Sequence, residues 1–139
     1  MNSSATDIKW FLENWDESTT DSSSLALDFG HNLFVGREPA KPINCVTIYD
    51  TPGLPPYLGL NDVGYEYPSI QIRVRNDTYL TGWTLIEGIK NALHGVNQTT
   101  INGTLYSSIA CANGPALLDW DDNGNCILFC NFSLQRRPL

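Results

Sequence analysis

Two segments of this chain alternate between apolar and polar residues, and this pattern constrains the fold more than any other feature. The first segment runs from Ser69 to Asn76 and the second from Cys126 to Leu134. Their alternate apolar residues are Ile70, Ile72 and Val74 in the first, and Cys126, Leu128, Cys130, Phe132 and Leu134 in the second. Because successive side chains of a strand point to opposite faces, both segments predict strands with one buried face.

Two segments with helical spacing can cover that face. Ser4 to Trp15 repeats apolar residues every three or four positions, and Ser3 or Ser4 can cap its start. Thr78 to Leu93 carries a longer apolar stripe and ends before Gly95. The stripe consists of Leu80, Trp83, Ile86, Ile89 and Leu93. An amphipathic helix must bury its stripe, so we expect both helices on one side of a sheet.

Shorter apolar segments predict the remaining strands. They are Leu33 to Val35, Cys45 to Asp50, Thr99 to Ile101 and Thr104 to Cys111. The last two flank Asn102 and Gly103, the dipeptide that best suits a two-residue hairpin turn. The order of elements predicts an α+β fold, in which a mostly antiparallel β-sheet packs against two α-helices.

The length of the chain bounds its organisation. A chain of 139 residues can bury roughly two-thirds of the surface that it exposes when unfolded, which suits one domain over residues 1–139. Residues 1–24 hold the N-terminal helix and, from Asp16 to Ser24, an almost wholly polar segment that predicts a mobile loop. Residues 25–139 hold the sheet and the central helix.

The charge of the chain excludes some partners. A formal charge of −7 with eight basic residues argues against a protein that grips nucleic acid through its phosphates. No stretch approaches the ~20 apolar residues that span a bilayer, and the first residues lack the pattern of a signal peptide. We therefore expect a soluble, non-exported protein with no membrane partner.

The residues that could carry chemistry do not form a recognisable site. His31 lies in a turn without a nucleophile motif, and His94 lies at a helix end, where it suits the dipole. An enzyme would need one of them as a base beside a partner that folding brings near. The four cysteines are expected to be reduced and buried, and the acidic turn from Asp119 lacks the closing glutamate of a calcium loop. The sequence predicts no catalytic, cofactor or metal site.

One long segment is a candidate for function. Asp50 to Tyr67 is rich in proline and glycine, and loops of this length in compact domains are usually functional or disordered. Its tyrosines and leucines suit exposed anchors at an interface, although each can equally well cover the sheet.

The amino-acid sequence of this region resembles that of a known family. Ile48 to Pro56 reads Ile-Tyr-Asp-Thr-Pro-Gly-Leu-Pro-Pro, and Tyr65 to Arg75 reads Tyr-Glu-Tyr-Pro-Ser-Ile-Gln-Ile-Arg-Val-Arg. The Asn102-Gly103 hairpin and an Asp-Asn-Gly turn follow in order. This succession, over roughly Phe34 to Phe132, resembles phage minor capsid proteins that are also described as tail terminators or tail-completion proteins. Pro52 departs from the pattern, in which a second glycine is frequent.

The resemblance implies a structural virion protein rather than an enzyme. It implies a ring, of six copies, that caps the tail tube and joins it to the head or neck. The partners would be other copies of the chain, the tail tube protein and the neck or head-completion proteins. DNA would pass through the channel without specific binding, since an acidic wall repels its phosphates.

Assembly contacts are expected in the long segment and the strand after it. The candidates are Asp50, Pro52, Leu54, Pro55, Pro56, Tyr57, Leu58, Tyr65, Tyr67, Arg73 and Arg75. The two arginines would face outward and pair with acidic residues of a neighbour, although a solvated strand face is the default for such charges. The alternative function is a virion-surface or host-interacting binding module that uses residues 50–67 as its recognition surface.

Overall fold

The computed structural model describes residues 1–14, 27, 29–56 and 64–139. Within these ranges the chain forms two helices, α1 (Ser4–Glu13) and α2 (Tyr79–Leu93). The strands are β1 (Leu33–Val35), β2 (Cys45–Leu54), β3 (Tyr67–Asn76), β4 (Val96–Ile101), β5 (Thr104–Trp120) and β6 (Cys126–Pro138). None of the described helices is long and apolar enough to span a membrane.

The strands form one sheet in the order β1-β2-β3-β6-β5-β4. β1 is parallel to β2, and every other neighbouring pair is antiparallel. In the centre of the sheet Ile72 lies between Ile48 and Cys130, so the buried positions of three strands share one face. Both helices pack against this face. The predicted α+β fold is confirmed.

The helices begin where the sequence predicts. Ser3 caps α1, because its hydroxyl oxygen accepts the Thr6 backbone N–H at 3.2 Å. α2 begins after Thr78 and is followed by Gly95, whose φ of +94° suits a residue without a side chain. The predicted helix end at Trp15 and the polar segment Asp16 to Ser24 lie outside the described residues.

The stripe predicted for α2 is wrong at its first position. Ile86, Ile89 and Leu93 are buried, but Leu80 is 75% exposed. Gly82 faces the sheet instead, and a Cβ there would lie 3.2 Å from the Leu128 side chain. The first turn of α2 therefore approaches β6 through a glycine, which turns Leu80 toward solvent.

All the strands except β1 are longer than predicted. β2 continues past Asp50 to Leu54, and β5 continues past Cys111 to Trp120 through several bulges. β1 pairs with β2 only as far as Ile48, so the rest of β2 is an edge of the described sheet. Pro52 lies in this edge, at the register shift between Thr51 and Leu54, which are the positions where a strand tolerates proline. The Asn102-Gly103 turn has the predicted positive φ values of 50° and 78°.

A buried ionic cluster joins the N-terminal helix to the last strand. Asp7 is fully buried and accepts the Tyr106 hydroxyl at 2.6 Å, and Arg136 lies 3.7 Å from the same carboxylate. Arg136 also pairs with Glu66 at 3.1 Å. Because a buried charge is tolerated only when it is paired and hydrogen-bonded, this cluster constrains the position of α1 on the sheet.

Candidate assembly surface

Apart from Arg73 and Arg75, the residues predicted to mediate assembly fall into three groups. Those at the end of β2 and just after it are exposed: Asp50, Pro52, Leu54, Pro55 and Pro56. Tyr65 and Tyr67, at the start of β3, are half-buried. Tyr57 and Leu58 lie outside the described residues. The prediction of one continuous loop from Asp50 to Tyr67 is wrong at both ends, because β2 reaches Leu54 and β3 begins at Tyr67.

Gly53 allows the end of β2 to approach β3. A Cβ at this position would overlap the carbonyl oxygen of Tyr67 and lie 2.8 Å from the Pro68 Cα. The close approach coincides with a register shift between Thr51 and Leu54. Leu54 consequently projects from the sheet edge and is 73% exposed.

Arg75 does not face solvent, so the expectation of an outward charge is wrong for this residue. Its guanidinium donates to the carbonyl oxygens of Pro39 at 2.6 Å, Pro42 at 2.9 Å and Ile43 at 3.0 Å. It also lies 3.5 Å from Glu38. The segment before β2 folds over the outer face of the sheet at this point and holds Arg75 inside the chain.

Arg73 begins a polar row on the face that the helices leave uncovered. It donates to Gln71 at 2.7 Å and lies 5.1 Å from the centre of the Tyr49 ring. Gln71 donates to Asn131 at 3.0 Å, and Asn131 donates to Asn113. The row crosses β2, β3, β6 and β5, and its members hydrogen-bond to one another.

Within the described residues, a group of exposed apolar side chains lies elsewhere, beside the first turn of α2. Tyr79 stacks on Trp83 and on Trp120 with ring centroids 6.3 and 6.2 Å apart. Leu117 and Trp120 pair with β6 residues whose side chains face the helices, so they lie on the side of α2. We call Tyr79, Leu80, Trp83, Leu117 and Trp120 the aromatic surface. Its exposed fractions reach 75% for Leu80 and 49% for Trp120.

Acidic residues border the aromatic surface. Asp119, Asp121 and Asp122 lie at the tip of the β5–β6 hairpin, and Asp77 precedes α2. The Asp121 carboxylate accepts the backbone N–H groups of Asn123 and Asn125, each at 2.9 Å, and the Asn125 amide at 3.0 Å. Hydrogen bonds from the Asn125 backbone and then its side chain lower the pKa of Asp121. The tip therefore carries negative charge at neutral pH.

The two histidines considered as catalytic bases lie near the ends of secondary-structure elements. His94 follows α2, and its Nδ1 accepts the Cys111 backbone N–H at 2.9 Å, which ties the helix end to β5. His31 lies in an exposed turn before β1. All four cysteines are free, with Cys111 half-buried and the other three buried. In the described ranges no three metal-ligating side chains form a cluster.

Comparison with known proteins assigns the family. A sequence profile of the bacteriophage tail terminator protein matches residues 18–137. This chain belongs to the tail terminator family. No curated protein sequence matches it significantly. Among solved structures, a chain described as "Virion of native gene transfer agent (GTA) particle" has a TM-score of 0.65 at 10% identity, over 97% of this chain and 95% of that one.

Family membership determines the general role. Tail terminators are structural components of virions, so this tail terminator is a structural protein and not an enzyme. The gene transfer agent protein has the same fold over nearly the whole chain. The resemblance noted from the sequence is therefore confirmed. The sequence did not predict the aromatic surface, because the helical spacing of Leu80 and Trp83 assigned both residues to the buried stripe of α2.

Proposed function

We propose that this tail terminator forms a ring of six copies that caps the tail tube and joins it to the head or neck. Family membership over residues 18–137 carries the proposal. A ring requires two different surfaces on each subunit, because each copy docks head-to-tail onto the next. The aromatic surface with its acidic border is one suitable surface.

A second, unlike surface lies on the segment that precedes β2. Arg37 and Lys41 are exposed on the segment that precedes β2, and Ile43 beside them is 45% exposed. The strands β3 and β6 lie between β2 and β5, so two strands separate the basic segment at the start of β2 from the acidic tip at the end of β5. The two surfaces complement each other in charge, and both contain apolar side chains. Such complementarity favours one register of docking.

We expect neighbouring copies to contact each other through side chains and not through pairing of their edge strands. The free part of β2 contains Pro52, and the part of β5 that extends beyond β4 contains Pro115. Proline on an edge strand removes a hydrogen-bond donor and discourages pairing with another edge. The aromatic surface is therefore the stronger candidate for the contact between copies.

The acidity of the chain suits a channel for DNA. A formal charge of −7 per copy gives a ring a strongly negative field, which repels phosphates at short range. DNA would pass such a ring without specific binding. The tail tube protein on one side, and the neck or head-completion proteins on the other, would be the neighbours of the ring.

Replacement of Leu80 tests the docking surface. Leu80→Glu puts a charge in the aromatic surface, and because Leu80 is largely exposed the fold should lose no more than about 0.5 kcal/mol of stability. We expect the wild-type protein to form rings in size-exclusion chromatography with light scattering, and the variant to stay monomeric. Thr81→Glu, one position along the same exposed turn, is the matched control and should still form rings.

A charge exchange tests the pairing of the two surfaces. Asp122→Lys alone should weaken assembly, and Lys41→Asp in the same chain should restore it. Wild-type protein that is monomeric at all concentrations would contradict the ring. Tails that are completed normally by Leu80→Glu protein would contradict the aromatic surface as the contact between copies. Electron microscopy of particles that carry the labelled protein gives its position, at the tail end or in the neck.

One observation favours the alternative, a virion-surface binding module. A groove of about 210 Å³ opens on the uncovered face of the sheet, beside the base of residues 50–67. Leu54, Tyr67, Ser69, Ser108 and Ala110 contribute to its walls. This volume is smaller than a typical small-molecule site and suits one protruding side chain of a protein. Ala110→Phe would fill the groove: loss of host attachment with normal rings would favour the alternative.

A further inference from the structure

Two cysteines face each other across neighbouring strands. The sulfur of Cys111 on β5 lies 3.3 Å from the sulfur of Cys130 on β6, and both are free thiols. The sulfurs of a disulfide are about 2.05 Å apart, so a bond requires an approach of little more than 1 Å. Cys45 and Cys126 are buried elsewhere, and Cys126 donates to the Asn76 carbonyl oxygen at 3.3 Å.

We propose that Cys111 and Cys130 form an oxidation site, which a hydroperoxide converts into an intrachain disulfide. The Cys111 thiolate attacks the peroxide, the O–O bond breaks, and hydroxide leaves a sulfenic acid on Cys111. The Cys130 sulfur then attacks the Cys111 sulfur, the S–S bond forms, the S–O bond breaks, and water leaves with the proton of Cys130. Two thiols are oxidised, and one molecule of hydrogen peroxide is reduced to two of water.

The surroundings of the two sulfurs assign their order of reaction. Cys111 is half-buried and Cys130 is fully buried, so an oxidant meets Cys111 first. Burial, and then the neighbouring Cys111 thiol, raise the pKa of Cys130, which favours its protonated form. The carbonyl oxygens of Asn113 and Gly114, at 3.7 and 3.5 Å from the Cys111 sulfur, keep that side chain beside β6.

The bond would close the part of the chain that carries the acidic tip. The enclosed segment of about 20 residues contains the free half of β5, with Leu117 and Trp120, and the hairpin turn. Disulfides persist on virions, which leave the reducing interior of a cell for an oxidising medium. The site would thus leave the subunit flexible during assembly and stiffen the hairpin after release.

Peptide mapping of oxidised protein tests the inference. Purified protein is treated with hydrogen peroxide, alkylated while unfolded and digested without reductant. We expect two of the four thiols to disappear, one peptide pair to join Cys111 to Cys130, and Tm to rise by about 10 °C in a way that reductant reverses. The assay needs no ring, so its outcome is independent of the proposed function.

Two variants and two outcomes sharpen the test. Cys45→Ser leaves the pair intact and should still lose two thiols, whereas Cys111→Ser should lose none and show no rise in Tm. The inference is overturned if treated wild-type protein carries Cys111 as sulfinic acid without a bridge. It is equally overturned if the oxidised product is a disulfide-linked dimer.

Discussion

The two halves of β5 differ, although they belong to one strand. The near half pairs with β4, and its Tyr106 and Ile109 are buried. The far half, from Asn113 to Trp120, extends beyond β4, and Leu117 and Trp120 are 40% and 49% exposed. An apolar side chain stabilises the fold only where a second layer covers it. The near half therefore holds the subunit together, and the far half is the part that we propose for contact with a neighbour.

The largest expected effect is on the ionic cluster of the near half. Asp7→Asn removes the carboxylate that accepts the Tyr106 hydroxyl and lies beside Arg136. Arg136 keeps Glu66, so we expect a loss near the lower end of the roughly 3–5 kcal/mol typical of a broken buried pair. Urea unfolding measures it. The control Glu87→Gln, which breaks a partly exposed pair with Lys90, should cost about 0.5 kcal/mol.

A matched pair of truncations compares the two halves directly. Ile109→Ala in the near half should cost about 2–4 kcal/mol, because it leaves a cavity in the core. Leu117→Ala in the far half should cost under about 1 kcal/mol in the isolated subunit, because the side chain is partly exposed. Equal losses in urea unfolding would show that the far half belongs to the core.

High pH should destabilise the near half. Burial, and then the hydrogen bond to Asp7, raise the pKa of Tyr106 above its ordinary value of 10.0, so its protonated form is favoured in the fold. That stability is present below pH 10 and is lost as pH rises further, when the unfolded state releases a proton that the folded state retains. Tyr106→Phe should reduce the loss of unfolding free energy above pH 10. Burial also raises the pKa values of Cys45, Cys126 and Cys130 above 9.0, so the decline begins near pH 9.

Low pH should have the smallest effect, at the far tip. The pKa of Asp121 is lowered from 3.8 by hydrogen bonds from Asn125, so its stabilising contribution is present above that pH and is lost as pH falls through the folded value. Asp121 is half-buried and bonds only to residues of its own turn, so Asp121→Asn should change stability at pH 7 only slightly and reduce its dependence on acid. Thermal unfolding between pH 2 and 5 measures it; a large shift at pH 7 would mean that the tip matters to the fold.

Much of the fold follows from local pattern. The alternation in Ser69 to Asn76 predicts β3, the Asn102-Gly103 dipeptide predicts the hairpin of β4 and β5, and Ser3 or Ser4 predicts the start of α1. All three are confirmed, with Ser3 as the cap. These features depend on neighbours a few residues apart along the chain. One domain over residues 1–139 stays a prediction.

The candidate site was harder to predict. Alternation correctly puts Arg75 on the outer face of β3, but exposure depends on the segment around Pro39 and Pro42, which folds back over it. Helical spacing likewise groups Leu80 with the core residues of α2. The signal that could have warned against this is Gly82, since a glycine inside a helix suggests a close approach on its own face.

The sequence by itself determined the elements, the acidity, the absence of a catalytic motif and the resemblance to tail terminators. Each of these is local or compositional, so it survives without knowledge of distant contacts. Only the tertiary structure decided that Arg75 is internal, that Tyr79 and Trp120 stack into one aromatic surface, and that Cys111 meets Cys130. Those facts depend on which strands become neighbours and where one layer ends, and side chains far apart in the chain settle both through packing.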